Sequence, residues 1–576
     1  MTTDFNDIDD ILLEEQEESE KLNEQFKAGG NGHDEKEESR TPIADEGDEG
    51  VNQEQQQEQD EDERTPSEKL LDLANSTNIL LFKDQYRIPH VLITVCEHLE
   101  ILRVESNAFR RFLTKLYYDS EGKIIGSEAV KNVVSILQAR ADFEGATYLL
   151  SLRVAWHNDD IYYDMTNDNW SFVKITPQEW QLVDKTPIPM FMRYTQISQA
   201  DAIRDYPVDI FDQFLGLTNL KRENEDDRLL LMVYIVTLFI PDIPHVMLVL
   251  HGEKGSAKST LQTLIKMLAD PAKPRLLTVY KDEKEFIQQL AHNHVAFYDN
   301  LKHTPRWLSD EACKAVTGVG STKRKLFSDD EDIVYEYRRC IGFNGINVTL
   351  TEPDALDRSM MIELERIKRE NAKQESEIME RFYELRPQLL GYIFDILVKA
   401  LSIKPTVVLE DLPRMADFAI WGEAISRAMG YPEMEFIDAY YKNIGRQNIE
   451  AVESDPLGQA ISIFEKEWYD EERPTCWQGL TSGLLDTLER IAAENHIRTD
   501  LDSWPRSADA LTKRLRIISS NLREGLGINI SVSKIRTGLH RGLSITRVWK
   551  NALHASAPYQ TTFDTQLETA QEVNTG

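Results

Sequence analysis

The chain has 576 residues, 41% of them hydrophobic and 28% charged, with a formal net charge of -34 at pH 7. That much apolar material excludes a wholly unstructured chain, and the usual size of domains argues for two to four folded units. The charge does not exclude a nucleic-acid partner, because residues 1–64 hold 24 Asp/Glu against 5 Lys/Arg and so supply more than half of it.

Residues 1–65 are rich in Glu, Asp, Gln and Gly and bury too little apolar area to offset the entropy of ordering, so they are expected to form a disordered acidic tail. Within it Phe5, Ile8, Ile11, Leu12 and Leu13 have near-helical spacing and could dock on a protein partner. A solvated tail with stray apolar residues is the plainer alternative. The sequence opens Met1-Thr2-Thr3-Asp4, acidic where a secretion signal needs a basic and then an apolar stretch. Cys96, Cys313, Cys340 and Cys476 lack the spacing of a zinc site or a disulfide framework, and the two observations together point to the cytoplasm.

Residues 66–220 alternate helix-like stretches (Asn107–Tyr117, Ser127–Asp142) with strand-like ones (His90–Val95, Tyr148–Trp156, Trp170–Ile175), which predicts an α+β domain whose role is not legible. The carboxylates of Asp159 and Asp160 follow Asn158 between two strand patterns, so a hairpin turn explains them without catalysis. The longest apolar run, Leu229–Ile240, has 12 residues, too short to span a bilayer, and reads as a buried helix; no membrane partner is expected.

Over residues 221–370 strands alternate with helices: His245–Leu250, a helix from Lys258, Leu276–Tyr280, a helix near Glu283–Ala291, and Val295–Tyr298. That alternation predicts an α/β fold with a parallel sheet covered on both faces. Residues 371–500 read as mostly helical, 501–556 as a small basic domain, and 557–576 as a flexible tail.

The apolar strand ending at Leu250 runs into Gly252-Glu253-Lys254-Gly255-Ser256-Ala257-Lys258-Ser259-Thr260 and then a helix, the setting a phosphate-binding loop requires. Gly252 and Gly255 let the backbone turn its amides toward phosphates, and the helix N-terminus adds partial positive charge. Lys258 would reach the β and γ phosphates of ATP, and Ser259 would hold Mg2+. Ala257 stands where a glycine is usual before the lysine; its methyl group narrows backbone freedom but removes no donor. A second acidic group is expected at the end of a neighbouring strand, and Asp299, followed by Asn300, supplies it as a second magnesium contact. A further short strand ends at Asn344, placed to sense the γ phosphate or the attacking water. Arg358 precedes another strand-like stretch and could act across a subunit boundary as an arginine finger, or could pair with Asp354 or Asp357.

In order along the chain, residues 252–260, Asp299-Asn300, the block from Cys313 to Phe327, Asn344 and Asp357-Arg358 resemble the superfamily 3 helicase group of AAA+ ATPases, close to the helicase part of viral and mobile-element primase-helicases. The resemblance implies an AAA+ core, a homo-oligomer in the form of a hexameric ring, and a hairpin gripping DNA through Lys323, Arg324 and Lys325. Asp329–Asp332 could instead fold back on those cations. Many AAA+ proteins carry Glu directly after the acidic residue as general base, whereas Asn300 cannot take a proton and at most positions the water.

Residues 505–550 hold ten Lys/Arg against two acidic residues. Ser507 can cap a helix whose outer face carries Lys513, Arg514, Arg516 and Arg523, followed by a hairpin bearing Lys534, Arg536 and Arg541. Helix plus basic hairpin resembles a winged-helix domain set against DNA phosphates; docking of this basic patch on the acidic remainder of the chain is the alternative. The sequence therefore leads to an ATP-driven DNA helicase or translocase for replication of a virus, plasmid or integrated mobile element. An ATP-dependent DNA-binding switch or loader is the competing expectation. A small-molecule P-loop kinase would leave the basic C-terminal region unexplained.

Overall fold

The computed structural model describes residues 64–220, 224–279, 283–301, 304–324, 332–335, 338–345, 352–368, 370, 372–468, 476–501, 503–534 and 541–547. The expected acidic tail up to residue 63 and the expected C-terminal tail lie outside them.

The described chain opens with α1 (Pro66–Ser76), where Thr65 and Glu68 form a reciprocal capping box with each other's side chain and amide. There follow β1 (Leu80–Asp84), β2 (Pro89–Val95), β3 (His98–Arg103), α2 (Asn107–Glu121), α3 (Ser127–Phe143) and β4 (Thr147–Tyr148). Their strands make one sheet, in the order β3-β2-β1-β4, with the helices over one face. A second, antiparallel sheet runs β5 (Val154–His157), β6 (Asp160–Asp164), β7 (Phe172–Ile175) and β8 (Trp180–Val183). Asn158 and Asp159 both take positive φ, 49° and 65°, and His157 pairs with Asp160, so the expected turn is a tight two-residue hairpin.

Next come α4 (Ile210–Leu215) and α5 (Glu225–Thr237), and in α5 every residue from Leu229 to Thr237 is buried, as the apolar run predicts. The alternating region supplies β9 (Met247–His251), α6 (Lys258–Ala269), α7 (Glu283–His292), β10 (Val295–Leu301), α8 (Arg306–Thr317), β11 (Ser321–Arg324), β12 (Asp332–Tyr335), β13 (Cys340–Gly345), α9 (Pro353–Leu356) and β14 (Ser359–Glu363). Four of these strands form a wholly parallel sheet in the order β10-β13-β9-β14. Alternation along β9 explains its uniform apolarity: Leu248 and Leu250 enter one core, Met247 and Val249 the core on the opposite face. Of the expected strand at Leu276–Tyr280, the described residues 276–279 make a single bridge, Leu277 to Tyr298, and Tyr280 lies outside the described residues.

The core under Leu248 and Leu250 is continuous with the second sheet and with the helices α10 (Glu375–Ile403), α11 (Ala416–Ala428) and α12 (Glu435–Ser454), from Val154 to Tyr440. Trp180 of β8 donates its indole N–H to Asp395 of α10 at 2.8 Å, and the Tyr163 hydroxyl of β6 donates to the carbonyl of Ala269 at 3.1 Å. Residues 150–220 therefore pack as part of the parallel-sheet body. The chain ends with α13 (Pro456–Trp468), β15 (Cys476–Leu480), α14 (Thr481–Glu494), α15 (Ala508–Leu526), β16 (Ile528–Lys534) and β17 (Arg541–Arg547) around a separate core. Their sheet has the order β15-β17-β16. Among the described residues no helix is long and apolar enough to cross a membrane.

Two features of the central core have consequences for stability. At the end of α6 the buried Asp270 carboxylate accepts from Lys266 at 2.8 Å, from Arg153 at 3.0 Å and from the Val295 amide at 3.0 Å, and all three side chains are essentially sealed from water. Close by, burial drives the His294 imidazole down to about 4, the Asp270 charge opposing it only in part. A histidine held neutral in the fold binds its proton more readily when unfolded, so stability is complete above the ordinary histidine range and is lost as the pH falls from about 6.5 toward 4. The expected loss from this residue is on the order of 3 kcal/mol, to be read from denaturant midpoints across that range and absent in His294→Asn.

Candidate nucleotide site and nucleic-acid elements

The loop between β9 and α6 lies at the C-terminal edge of the parallel sheet. Gly252 has φ 138°, and a Cβ there would stand 2.2 Å from the carbonyl oxygen of Leu364, so no other residue fits without moving backbone. Ala257 carries the left-handed turn into α6 with φ 62° and ψ 28°, a conformation costly for a residue with a side chain. Gly252→Ala is therefore expected to cost about 1–3 kcal/mol by forced overpacking and to weaken nucleotide binding. Ala257→Gly is expected to be neutral or stabilising by up to about 1 kcal/mol, since strain relief offsets added chain entropy. Thermal melts and a nucleotide titration of both variants check the contrast.

Lys258 opens α6 and donates to the carbonyls of Gly252 (2.8 Å) and Glu253 (2.9 Å) and to the Ser256 hydroxyl (3.0 Å), so its ammonium spans the mouth of the loop. Partial burial holds its pKa below the usual lysine range, with the Asp299 carboxylate opposing the shift. Glu253, Lys254 and Gly255 are exposed, Ser256 is buried, and Thr260 lies one residue into α6 beyond Ser259. The Ser259 hydroxyl donates to Asp299 Oδ1 at 2.8 Å.

Asp299 reaches that position across an intervening strand. β13 separates β10 from β9, so the carboxylate strand is a next-nearest neighbour of the loop strand and not the adjacent one the sequence suggested. The pairing of β10 with β13 slips between Tyr298 and Leu301, where Asn300 takes φ 59°. Such an irregularity re-aims side chains at a strand end. Asparagine tolerates the left-handed region better than glutamate, which gives a backbone reason for Asn300. Asn344, almost wholly buried, accepts from the Asn300 amide at 2.9 Å and donates to Gln262 Oε1 at 2.6 Å. Its amide group thus ties the carboxylate strand to α6. Sequence reading passed over Gln262, although a polar residue one turn beyond Lys258 and Ser259, flanked by Leu261 and Leu264 on the buried face, was its signal.

Arg358 is mostly buried and pairs with Asp354 Oδ1 at 2.5 Å, not with Asp357. The same carboxylate holds Arg414 at 2.8 Å. The short helix α9 that carries Asp354 touches α15, so Arg358 sits beside the C-terminal module.

Lys323 and Arg324 stand on β11, which pairs antiparallel with β12 so that Arg324 is opposite Asp332. Lys325 and the acids 329–331 lie outside the described residues. In the C-terminal module Ser507 caps α15 by accepting from the Ala510 amide at 3.2 Å. Lys513 and Arg516 are exposed, whereas Arg514 turns inward and pairs with Asp455, the residue between α12 and α13. Arg523 is exposed beside Glu524, 2.8 Å away. Lys534, the last residue of β16, and Arg541, the first of β17, are paired in register, and Arg536 lies outside the described residues.

Among the described residues no three His, Cys, Asp or Glu side chains cluster as a metal site. That arrangement is compatible with magnesium, which is commonly held by one or two protein oxygens plus phosphates and water.

The fold is mixed α/β, with one parallel and several antiparallel sheets. Residues 211–445 match the family model AICE RepA, described as the actinomycete integrative conjugative element replication protein, and residues 457–558 match the AICE RepA C-terminal domain. Together the two stretches take in more than half of the chain, and the family they describe is a replication protein of a mobile element. No curated protein is matched by the sequence. Solved structures with some likeness include the apo NrS-1 C-terminal region, at 11% identity and TM-score 0.39 over 84% of this chain and 100% of that one. Another is SCCmec type IV Cch, described as an active helicase, at 11% identity and TM-score 0.40 over 81% of this chain and 92% of that one. Scores this low support neither a shared fold nor a shared activity.

Proposed function

We propose that the chain is an ATP-dependent DNA helicase or translocase that serves the replication of its mobile element. The observation that carries this reading is the 2.8 Å contact between Ser259, at the start of α6, and Asp299, at the end of β10. These two hard oxygen donors lie beside a loop of turned amides and a lysine, the fit that MgATP requires. Amides of the loop and of the first turn of α6 would receive the phosphates, and Lys258 would exchange its carbonyl contacts for the β and γ oxygens. Bound magnesium would supply charge neutralisation of the phosphates. Asn300, exposed and held by Asn344 through its amide, would orient the water. The insertion of β13 between the loop strand and the carboxylate strand supports an AAA+ type core. Superfamily 3 in particular rests on the sequence motifs.

The C-terminal order α13, β15, α14, α15, β16, β17, with β17 central in the sheet, supports a winged-helix reading. Lys513 and Arg516, with the hairpin cations Lys534, Arg536 and Arg541, are the proposed DNA contacts there. Arg514 is engaged by Asp455 and is the weakest of the set. Lys323, Arg324 and Lys325 are the proposed DNA contacts of the core. A ring of subunits would let Arg358 act in trans only after leaving Asp354.

A second reading, an ATP-dependent DNA-binding switch without strand separation, is favoured by the absence of a carboxylate at position 300. A strand-separation assay on a forked duplex decides between them. The helicase reading expects ATP-dependent release of one strand, abolished in Lys323→Ala plus Arg324→Ala while nucleotide affinity is kept. Tight ATP-dependent binding with no strand release would favour the switch.

A further inference from the structure

A cavity of about 340 Å³ lies at the seam between the first sheet and helix α7. The turn from Asp84 to Ile88 and Arg103 at the end of β3 wall one side; Gln288 and His292 of α7, with Arg339 just ahead of β13, wall the other. Tyr194 joins the two walls. Its hydroxyl accepts from Arg103 Nη2 at 2.8 Å, and its ring stacks on His292 at a centroid distance of 4.2 Å.

The lining carries two guanidinium groups, of Arg103 and Arg339, against one carboxylate. Arg103 has no carboxylate partner among the described residues, and its Nε, sealed from solvent, has no hydrogen-bond partner. Asp84, the one carboxylate in the lining, is turned onto its own loop, where it accepts from the amides of Tyr86 (2.9 Å) and Ile88 (2.8 Å). Arg103 and Arg339 both lie near enough to His292 to reinforce the effect of burial in keeping its ring neutral. Leu150, Leu152 and Met192 supply the apolar part of the lining.

We propose that this seam is a binding site for a phosphate-bearing ligand of mononucleotide size, its phosphate on Arg103 and Arg339 and its flat or apolar part against Leu150, Leu152 and Met192. Guanidinium groups match the spacing of phosphate oxygens, and a cavity of this volume with a few convergent polar groups is the size of a small-ligand site. The ligand bridges the first sheet and α7, and three residues beyond His292 the chain enters β10, which carries Asp299. The sheet module thereby acquires a role that its sequence does not disclose.

The test uses the full chain carrying Lys258→Ala, so that the loop at residues 252–260 does not compete, with AMP and an eight-nucleotide single strand as separate probes in calorimetry. AMP is expected to bind, with affinity reduced tenfold or more by Arg103→Ala. Gln288→Glu, an exposed change at the rim, is expected to weaken AMP several-fold without shifting the melting temperature. AMP binding that neither variant alters, or no AMP binding at all, overturns the proposal. Binding of the single strand through these residues in place of AMP overturns it also and assigns the seam to nucleic acid.

Discussion

Replacement of Asp299 by asparagine is expected to lower magnesium-dependent ATP turnover by about a hundredfold or more. The substitution keeps the size of the side chain and a hydrogen-bond acceptor for Ser259, so the 2.8 Å link across β13 need not break. It removes the charge that would hold magnesium against the β and γ phosphates. Stability is therefore expected to change little, and nucleotide affinity measured with a chelator present is expected to persist. Turnover within a few-fold of wild type would mean that another carboxylate serves the metal.

A large effect of a different kind is expected from Asp270→Asn. The change leaves Lys266 and Arg153, both sealed in the core, facing a neutral amide. Burial alone would raise the Asp270 pKa, but Lys266, Arg153 and His294 pull it well below the usual carboxylate range. Its contribution is thus present above that range and is lost only in strong acid, below the window in which His294 acts. Breaking a buried pair by removing one partner costs about 3–5 kcal/mol, enough to unfold a marginal protein. Asp500→Asn is the control: its pair with Arg498 is about two-thirds exposed on both sides, and its loss is expected to leave stability essentially unchanged. Urea midpoints for the two variants measure the difference, and equal midpoints would contradict the role of the buried cluster.

The sequence disclosed best what depends on neighbours along the chain. An apolar strand, a glycine-bearing loop and a helix starting at Lys258 follow from local pattern, as do the Asn158-Asp159 turn and the Ser507 cap. It disclosed least what depends on distant pairing. Nothing local says that β13 slides between β9 and β10, because Gly342 of β13 pairs with Leu248 on one side and Phe297 on the other, both distant in the chain. β15 was missed for a related reason: Cys476–Leu480 pairs only with β17, more than sixty residues on. Buried charges mislead in the same way. Lys266 and Asp270 have the spacing of a surface pair on a helix, and only Arg153, from just ahead of β5, makes a core cluster of them. Arg514 looks like a member of the outer basic face of α15, yet Asp455 draws it inward.

The most direct measurement of the central claim is steady-state ATP hydrolysis with and without single-stranded DNA, for wild type and Lys258→Ala. A DNA-coupled motor predicts turnover that rises several-fold with DNA and vanishes in the variant. Turnover indifferent to DNA, or equal in both proteins, would contradict it.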